Sequence, residues 1–213
     1  MIIRFNKVTP HPLDGVTHLN TELWDKELFF EHNKKYKINA PSGKGKSTFI
    51  HLIYGLRKDY NGEIFIDGKD TREFDNNDWA EIRQSDISII FQDLRLFPEL
   101  TAFENIKLKY DLKNQITEDK IIYYFELLKI SHIKNKTAKY LSYGERQRVA
   151  IIRAIVQPFQ LLLMDEPFSH LDAGNAQVAA DIIRQECEER NAGYIITSLG
   201  GESYFKIDET VTI

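Results

Sequence analysis

Cysteine is almost absent from this chain. Of its 213 residues only Cys187 carries a thiol, so no internal disulfide can form. Cys187 lies on an amphipathic helical pattern, which indicates a buried or half-buried structural thiol rather than a nucleophile. The chain is therefore expected to fold without disulfides, as proteins of a reducing cytoplasm do.

Long hydrophobic runs and an excess of positive charge are also missing. Apolar runs such as residues 161–164 are far shorter than the roughly 20 residues of a membrane span. The opening residues, MIIRFNKVTP, do not have the layout of a signal peptide. A formal net charge of -4 offers no general attraction to nucleic acid. The small basic cluster of Lys34, Lys35 and Lys37 has the alternation of a solvated strand edge. We therefore expect a soluble chain with no nucleic-acid partner.

The composition is that of an ordinary globular domain, with 42% hydrophobic and 28% charged residues. Its length suits one domain with a smaller subdomain. Short runs of β-branched and aromatic residues near the start predict an N-terminal antiparallel β subdomain. These runs are residues 2–5, 28–31, 35–39 and 63–66.

The later part of the chain changes to an α/β pattern. Residues 87–91 and 161–164 are apolar without alternation, as strands buried on both faces of a parallel sheet are. Helical patterns cover residues 47–55, 143–156 and 173–190. The stretch of about 93–141 predicts helices at 101–109 and 117–130 and no strand. We therefore expect a single domain over 1–213, in which a helical subdomain at about 93–141 is inserted into a RecA-like core.

A glycine-rich loop joins a predicted strand to a predicted helix. Glycines in such a loop allow backbone N–H groups to surround phosphates at a helix N-terminus, and the GKS ending adds a lysine for the β- and γ-phosphates and a hydroxyl for Mg²⁺. The loop therefore predicts a P-loop NTPase that binds ATP. Ala40 stands where the strict pattern has glycine, and it would be strained by roughly 1 kcal/mol if that position required positive φ. The predicted phosphate-binding residues are Ser42, Gly43, Lys44, Gly45, Lys46, Ser47 and Thr48.

Two carboxylates follow the second buried strand. Asp165 and Glu166 come directly after residues 161–164, at the sheet end where α/β proteins place their ligands. Asp165 is expected to hold Mg²⁺, and Glu166 to polarise the attacking water. With Lys46, these residues predict an ATPase.

The order of these motifs resembles that of the ABC ATPase family, and three further segments extend the resemblance. Gln92 matches the glutamine of the Q-loop, which implies contact with Mg²⁺ and the lytic water. Residues 141–145, LSYGE, are similar to the signature LSGGQ, which implies that Ser142, Gly144 and Glu145 reach the ATP of an opposing subunit. Asp172 matches the D-loop aspartate, which implies communication between subunits.

Two further positions depart from that family pattern. The histidine that senses the γ-phosphate is replaced by Leu199, which cannot donate a hydrogen bond, so slow hydrolysis is expected. In that family an aromatic residue stacks on adenine, and His11 is the nearest candidate for this role. The alternative is that His11 lies in an ordinary surface loop.

The resemblance implies a transporter ATPase that works as a dimer. The expected partners are a transmembrane permease subunit and a second ATPase subunit. The two ATPase subunits would form a homodimer or a heterodimer at the inner face of the membrane. In its small size the chain is similar to the ATPase subunits of lipoprotein-release, macrolide-export and cell-division complexes. Phe97, Pro98 and Leu100 follow the Q-loop and are expected to form an apolar docking groove for the membrane subunit, with ordinary packing of the helical insert as the alternative. The alternative is an ATP-gated regulatory module with little turnover; a DNA-repair or translation ATPase is disfavoured, because a coiled-coil insert and a basic surface are missing.

Overall fold

The structure is a computed structural model that describes residues 1–13, 21–41, 43–112, 116–198 and 204–213. Its strands are β1 (Ile2–Pro10), β2 (Glu27–Glu31), β3 (Lys35–Asn39), β4 (Tyr60–Ile66), β5 (Lys69–Asp70), β6 (Ile87–Ile90), β7 (Leu161–Asp165), β8 (Gly193–Ser198) and β9 (Glu209–Thr212). Its α-helices are α1 (Lys46–Ile53), α2 (Asn76–Ser85), α3 (Ala102–Tyr110), α4 (Glu118–Leu127), α5 (Tyr143–Ile155) and α6 (Ala173–Glu189). None of the described helices is long and apolar enough to cross a membrane.

The strands form two sheets. The antiparallel sheet has the order β2-β1-β4-β5, and the five-stranded sheet has the order β6-β7-β8-β3-β9 with parallel pairing throughout. The antiparallel start of the chain is thus confirmed. The placement of β3 in it was wrong, because β3 lies inside the parallel sheet, between β8 and β9. The expectation of a strand edge at Lys35 and Lys37 was therefore wrong as well, since β3 is paired on both sides.

Two hydrophobic clusters cover the two faces of the parallel sheet. Leu161 and Leu163 of β7 pack with α1 and the antiparallel sheet, and Leu162 and Met164 pack with helices α3 to α6. Successive side chains of a strand point to opposite faces, so a strand covered on both faces is apolar at nearly every position. All five residues of β7 are buried, which confirms the prediction of a buried strand at residues 161–164. This double covering fixes the strand end that carries Asp165.

Helices α3 and α4 lie in the stretch of 93–141 that was expected to be helical. Thr101 and Thr117 cap their N-termini, each through a side-chain oxygen that accepts from the backbone N–H three residues later. Their buried residues, including Ile106 and Phe125, pack against α5 and α6.

Cys187 of α6 is 1% exposed, which confirms a structural thiol. Burial raises the pKa of this thiol to about 12, so it stays protonated and unreactive at neutral pH.

Candidate functional site

The glycine-rich loop connects the C-terminal end of β3 to the start of α1. Gly43 has φ 77° and Gly45 has φ 97°, values in the left-handed region that favours glycine. A Cβ at Gly45 would also lie 3.0 Å from Cδ1 of Leu13 and 3.1 Å from Cζ2 of Trp24. The loop therefore needs glycine at this position for both conformation and space. Ala40 is not among the described non-glycine residues with positive φ, so the strain expected there is not present.

Lys46 is the first residue of α1, and its side chain turns back into the loop. The lysine is 6% exposed, and its Nζ donates a 3.0 Å hydrogen bond to the Ala40 carbonyl. The same Nζ lies 3.5 Å from Oε1 of Glu166. The structure thus brings together the cation expected to bind phosphate and the carboxylate expected to activate water. Lys44 is exposed, Thr48 is half-buried, and Ser42 lies outside the described residues.

Asp165 and Glu166 stand at the C-terminal end of β7. Asp165 is 2% exposed, and its Oδ1 accepts a 2.7 Å hydrogen bond from the Thr197 hydroxyl. Thr197 lies opposite Asp165 on β8, and its carbonyl also accepts from the Glu166 backbone N–H at 3.3 Å. Glu166 has φ 49°, which turns the chain sharply after the strand. Sequence reasoning missed Thr197, although it orients both carboxylate residues.

Gln92 follows β6 and reaches the loop from the neighbouring side. The Ser47 hydroxyl donates to Oε1 of Gln92 at 3.4 Å, so two of the three predicted metal ligands are in contact. The described residues contain no group of three or more His, Cys, Asp and Glu side chains that could hold a metal. A cation at this place would instead rely on a hydroxyl, an amide oxygen and the single carboxylate of Asp165. Such a set of oxygen ligands, completed by water and phosphate, fits Mg²⁺.

The signature segment forms the N-terminus of α5. Ser142 caps the helix: its backbone N–H donates to Glu145 at 2.7 Å, and the Glu145 N–H donates to the Ser142 hydroxyl at 3.3 Å. Partial burial disfavours the charged form of Glu145, but the hydrogen bonds from Ser142 outweigh it and lower the pKa of the carboxyl group. A Cβ at Gly144 would lie 3.3 Å from the His170 carbonyl oxygen. The helix end is therefore compact, with the Glu145 carboxylate engaged in its own cap.

Tyr143 takes a position that is glycine in the LSGGQ pattern, and it connects three motifs. Its hydroxyl donates to the Gln92 carbonyl at 2.8 Å. Its ring centroid lies 4.1 Å from that of His170, and the guanidinium of Arg146 lies 5.2 Å from the same ring. The signature, the segment at Gln92 and the loop before Asp172 are thus joined within one chain. The sequence indicated only a substitution here, not these contacts.

Asp172 caps α6. Its carboxylate accepts from the Asn175 backbone N–H at 2.8 Å and from the Asn175 side-chain amide at 2.6 Å. These hydrogen bonds, the backbone one first, lower the pKa of Asp172. The exposed carboxylate is therefore ionised at neutral pH.

The remaining predicted residues are His11, Leu199, Phe97, Pro98 and Leu100. His11 is exposed in a single helical turn, His11–Leu13, and its backbone N–H donates to the Asp59 carbonyl at 2.9 Å. Leu199 lies outside the described residues. Phe97 is 56% exposed, and both its backbone N–H and its carbonyl are bound by the buried side chain of Asn105. Pro98 is exposed and Leu100 is half-buried.

The chain is similar to known proteins over most of its length. A family model described as "ABC transporter" matches residues 24–169. The lipoprotein-releasing system ATP-binding protein LolD of Buchnera aphidicola subsp. Schizaphis graminum is 37% identical over 164 residues, which are 76% of this chain and 72% of that protein. Among solved structures, the dimeric ABC transporter cassette MJ0796 has a TM-score of 0.79 at 27% identity, over 93% of this chain and 88% of that one. A post-hydrolysis dimer of the same cassette with bound ADP and Pi has a TM-score of 0.76 at 28% identity, with the same coverage.

Proposed function

This chain belongs to the ABC transporter family, and from that membership we propose how its own residues bind ATP, hydrolyse it and meet a membrane partner. Its fold is that of an ABC ATPase, and it is an ATP-binding, ATP-hydrolysing subunit that powers transport through nucleotide-driven dimerisation. One observation carries the proposal. Lys46 and Glu166 lie 3.5 Å apart at the same sheet edge where Ser47 contacts Gln92.

ATP is held by the loop after β3 and the first turn of α1. Backbone N–H groups of the loop face the phosphates, and Lys46 neutralises the β- and γ-phosphates when it leaves the Ala40 carbonyl. His11 is assigned as the stacking partner of adenine, and Leu13, two residues later in the same helical turn, would lie 3.0 Å from a Cβ at Gly45 of the loop. The loop residues assigned to phosphate binding are Ser42, Gly43, Lys44, Gly45, Lys46, Ser47 and Thr48.

Mg²⁺ is the metal of this site. Ser47 and Gln92 supply oxygen atoms that already meet at 3.4 Å, and Asp165 supplies the carboxylate, oriented by Thr197. When bound, the cation neutralises charge on the phosphate oxygens. The Gln92 amide is free to turn toward either the cation or the lytic water, because its side chain is exposed.

Hydrolysis uses residues of two subunits. Glu166 accepts the proton of the attacking water, and Lys46 and Gln92 complete the catalytic set. Ser142, Gly144 and Glu145 of a second subunit face the γ-phosphate at the N-terminus of α5, the end of the helix dipole that favours anions. Asp172 lies at the subunit boundary. The second subunit is an identical copy in a homodimer or a related chain in a heterodimer.

A transmembrane permease subunit is the membrane partner, which places this chain in the cytoplasm at the inner face of the membrane. The chain works as one ATPase domain over 1–213, with the helical subdomain of about 93–141 as its insert. The side chain of Phe97 is exposed while Asn105 holds its backbone, which supports docking at the segment that follows Gln92. The likeness to LolD supports a lipoprotein-releasing type of complex.

Steady-state phosphate release tests this function. The purified chain is expected to release phosphate from ATP only when Mg²⁺ is present, and faster when it is co-purified with its membrane subunit. A Glu166→Gln variant prepared in parallel gives the background. Release that does not exceed this background, with ATP binding intact, would instead support the ATP-gated regulatory module.

Slow turnover is the finer part of the proposal, and it rests on Leu199. We expect Leu199→His to raise the rate of phosphate release several-fold, because an imidazole can donate a hydrogen bond to the γ-phosphate and leucine cannot. The rate is measured at saturating ATP, with Leu199→Gln as a polar control that lacks the ring. A flat or lower rate in Leu199→His would show that this site operates without such a donor.

Tyr143 is expected to position the segment at Gln92. Tyr143→Phe keeps the ring contact with His170 and removes the hydroxyl that binds the Gln92 carbonyl. We expect the turnover number to fall about five-fold with ATP affinity unchanged, because one hydrogen bond contributes about 1 kcal/mol. Tyr140→Phe serves as the control, since Tyr140 is 64% exposed. Equal rates in the two variants would remove Tyr143 from the mechanism.

A further inference from the structure

His170 is an exposed imidazole in the segment between Glu166 and Asp172. Within the described ranges neither of its ring nitrogens has a hydrogen-bond or ion-pair partner, and the residue is held through its backbone instead. A neutral imidazole has one N–H donor and one acceptor, whichever tautomer it takes. His170 can therefore donate a hydrogen bond to a group from outside this chain without a change of protonation.

Three contacts with α5 fix the place of this residue. The backbone N–H of His170 donates at 3.2 Å to Oε1 of Gln147, a residue that is 1% exposed. Its carbonyl oxygen would lie 3.3 Å from a Cβ at Gly144, so the two backbones are close. The imidazole itself packs against Tyr143, with the ring centroids 4.1 Å apart. A side chain that is held in this way has little freedom left to lose when it binds a ligand.

The contact of the imidazole with an aromatic ring depends on a departure from the LSGGQ pattern. Tyr143 stands at one of the glycine positions, and a glycine there would remove the ring that His170 contacts. The sequence also lacks the histidine of the family pattern and has Leu199 in its place. The chain thus has no imidazole at one motif, and at another it has an imidazole that an aromatic ring supports.

The surroundings of His170 favour an anion. Tyr143 is the first residue of α5, and the N-terminus of a helix is the end of its dipole that attracts negative charge. The guanidinium of Arg146 lies 5.2 Å from the Tyr143 ring. The nearest carboxylates in sequence, Glu145 and Asp172, are each engaged in a helix cap. A phosphate group that approaches this surface therefore meets the imidazole donor beside the positive end of a helix.

We propose that His170 of one subunit donates a hydrogen bond to the γ-phosphate of the ATP that the other subunit holds. It thereby supplies across the dimer a donor that Leu199 cannot supply. This inference rests on the proposed function, because it needs the dimer in which Ser142 and Gly144 face that phosphate. His170 is then a catalytic residue of the neighbouring site, and Tyr143 positions its ring. The increase expected for Leu199→His still holds, since that imidazole would be a second donor from the ATP-binding subunit itself.

Substitution of His170 is the first test. We expect His170→Ala to lower the turnover number at least about ten-fold, because loss of a fixed donor to a developing anion costs about 10²- to 10³-fold. Its affinity for ATP, measured at concentrations too low for dimerisation, should not change, because the donor belongs to the other subunit. His170→Phe keeps a ring against Tyr143 without a donor and should lose as much as His170→Ala. His170→Gln keeps an N–H donor and should lose less.

Gln177→Ala is the control, at an exposed position of the following helix, α6, and it should behave as wild type. Phosphate release at saturating ATP gives the rates, and thermal unfolding shows whether each variant is folded.

Mixed dimers of two differently tagged copies distinguish action across the dimer from action within one subunit. In every mixture one copy carries Glu166→Gln, so only the other copy hydrolyses ATP. His170→Ala is then placed on either the inactive or the active copy. The rate should be at least about ten-fold lower when it lies on the inactive copy, because that copy faces the site that hydrolyses ATP.

The two arrangements contain the same substitutions, so a general loss of stability would affect them equally. Equal rates in the two, a lower rate with His170→Ala on the active copy, or a His170→Phe as fast as wild type would overturn the inference. In those cases ATP-dependent dimerisation and phosphate release by the wild-type chain would leave the proposed function intact. A wild-type chain that neither dimerises with ATP nor hydrolyses it would overturn both.

Discussion

Glu166→Gln is expected to bind ATP but to release phosphate at least about 100-fold more slowly than wild type, since a positioned general base accelerates such a reaction about 10²- to 10⁴-fold. Glutamine has the shape of glutamate, and its amide oxygen can still accept from Lys46, which lies 3.5 Å from the native carboxylate. What it cannot do is take a proton from water. The dimer that ATP induces should therefore persist, because its hydrolysis is blocked.

Three measurements on the same sample distinguish this outcome from misfolding. Phosphate release gives the rate, fluorescence of a labelled ATP gives the affinity, and light scattering after size exclusion gives the fraction of dimer. Glu81→Gln, at an exposed position of α2, is the matched control and should behave as wild type. Phosphate release by Glu166→Gln within two-fold of wild type would assign the general base to another residue.

The local structure that was predicted correctly depends on local chemistry. The left-handed conformations of Gly43 and Gly45 follow from the need of a loop to turn its N–H groups inward. The buried strand β7 follows from an apolar run without alternation. Both patterns can be recognised within about ten residues of sequence, so no tertiary knowledge was needed to find them.

The parts that were missed depend on contacts between distant segments. Helix α2 has one buried residue, Trp79, and few apolar positions, so its periodicity is weak, although Asp75 and Asp78 form a capping box at its start. Strand β9 has only Val211 buried, and it exists because β3 offers it backbone partners. A short alternating strand such as β3 does not reveal which sheet it will join, since both sheets accept that pattern.

Thr197 and Tyr143 illustrate the same limit at the site itself. Thr197 meets Asp165 only because β7 and β8 pair in a register that places them opposite each other. Tyr143 meets the Gln92 carbonyl across 51 residues of sequence. These roles cannot be predicted from the residue types, because threonine in a strand and tyrosine at the start of a helix are both common.

Lys46→Ala is expected to abolish ATP-dependent dimerisation and to weaken ATP binding by at least about 100-fold, as loss of a charge-assisted contact to phosphate does. Lys46 is the buried cation of the loop, 6% exposed, whereas the side chain of Lys44 is exposed. Removal of Lys46 has a second effect. Glu166 would keep its negative charge next to the incoming phosphates without the cation that now lies 3.5 Å away, and this repulsion adds to the loss.

Lys44→Ala is the matched control, two positions earlier in the same loop. Its side chain is exposed and its backbone N–H is retained, so ATP affinity should stay within about three-fold of wild type. Titration calorimetry measures both affinities, and thermal unfolding without nucleotide shows whether each variant is folded. A folded Lys46→Ala that binds ATP as tightly as Lys44→Ala would mean that the phosphates are held elsewhere. Loss in Lys46→Ala alone would locate the nucleotide at the loop after β3.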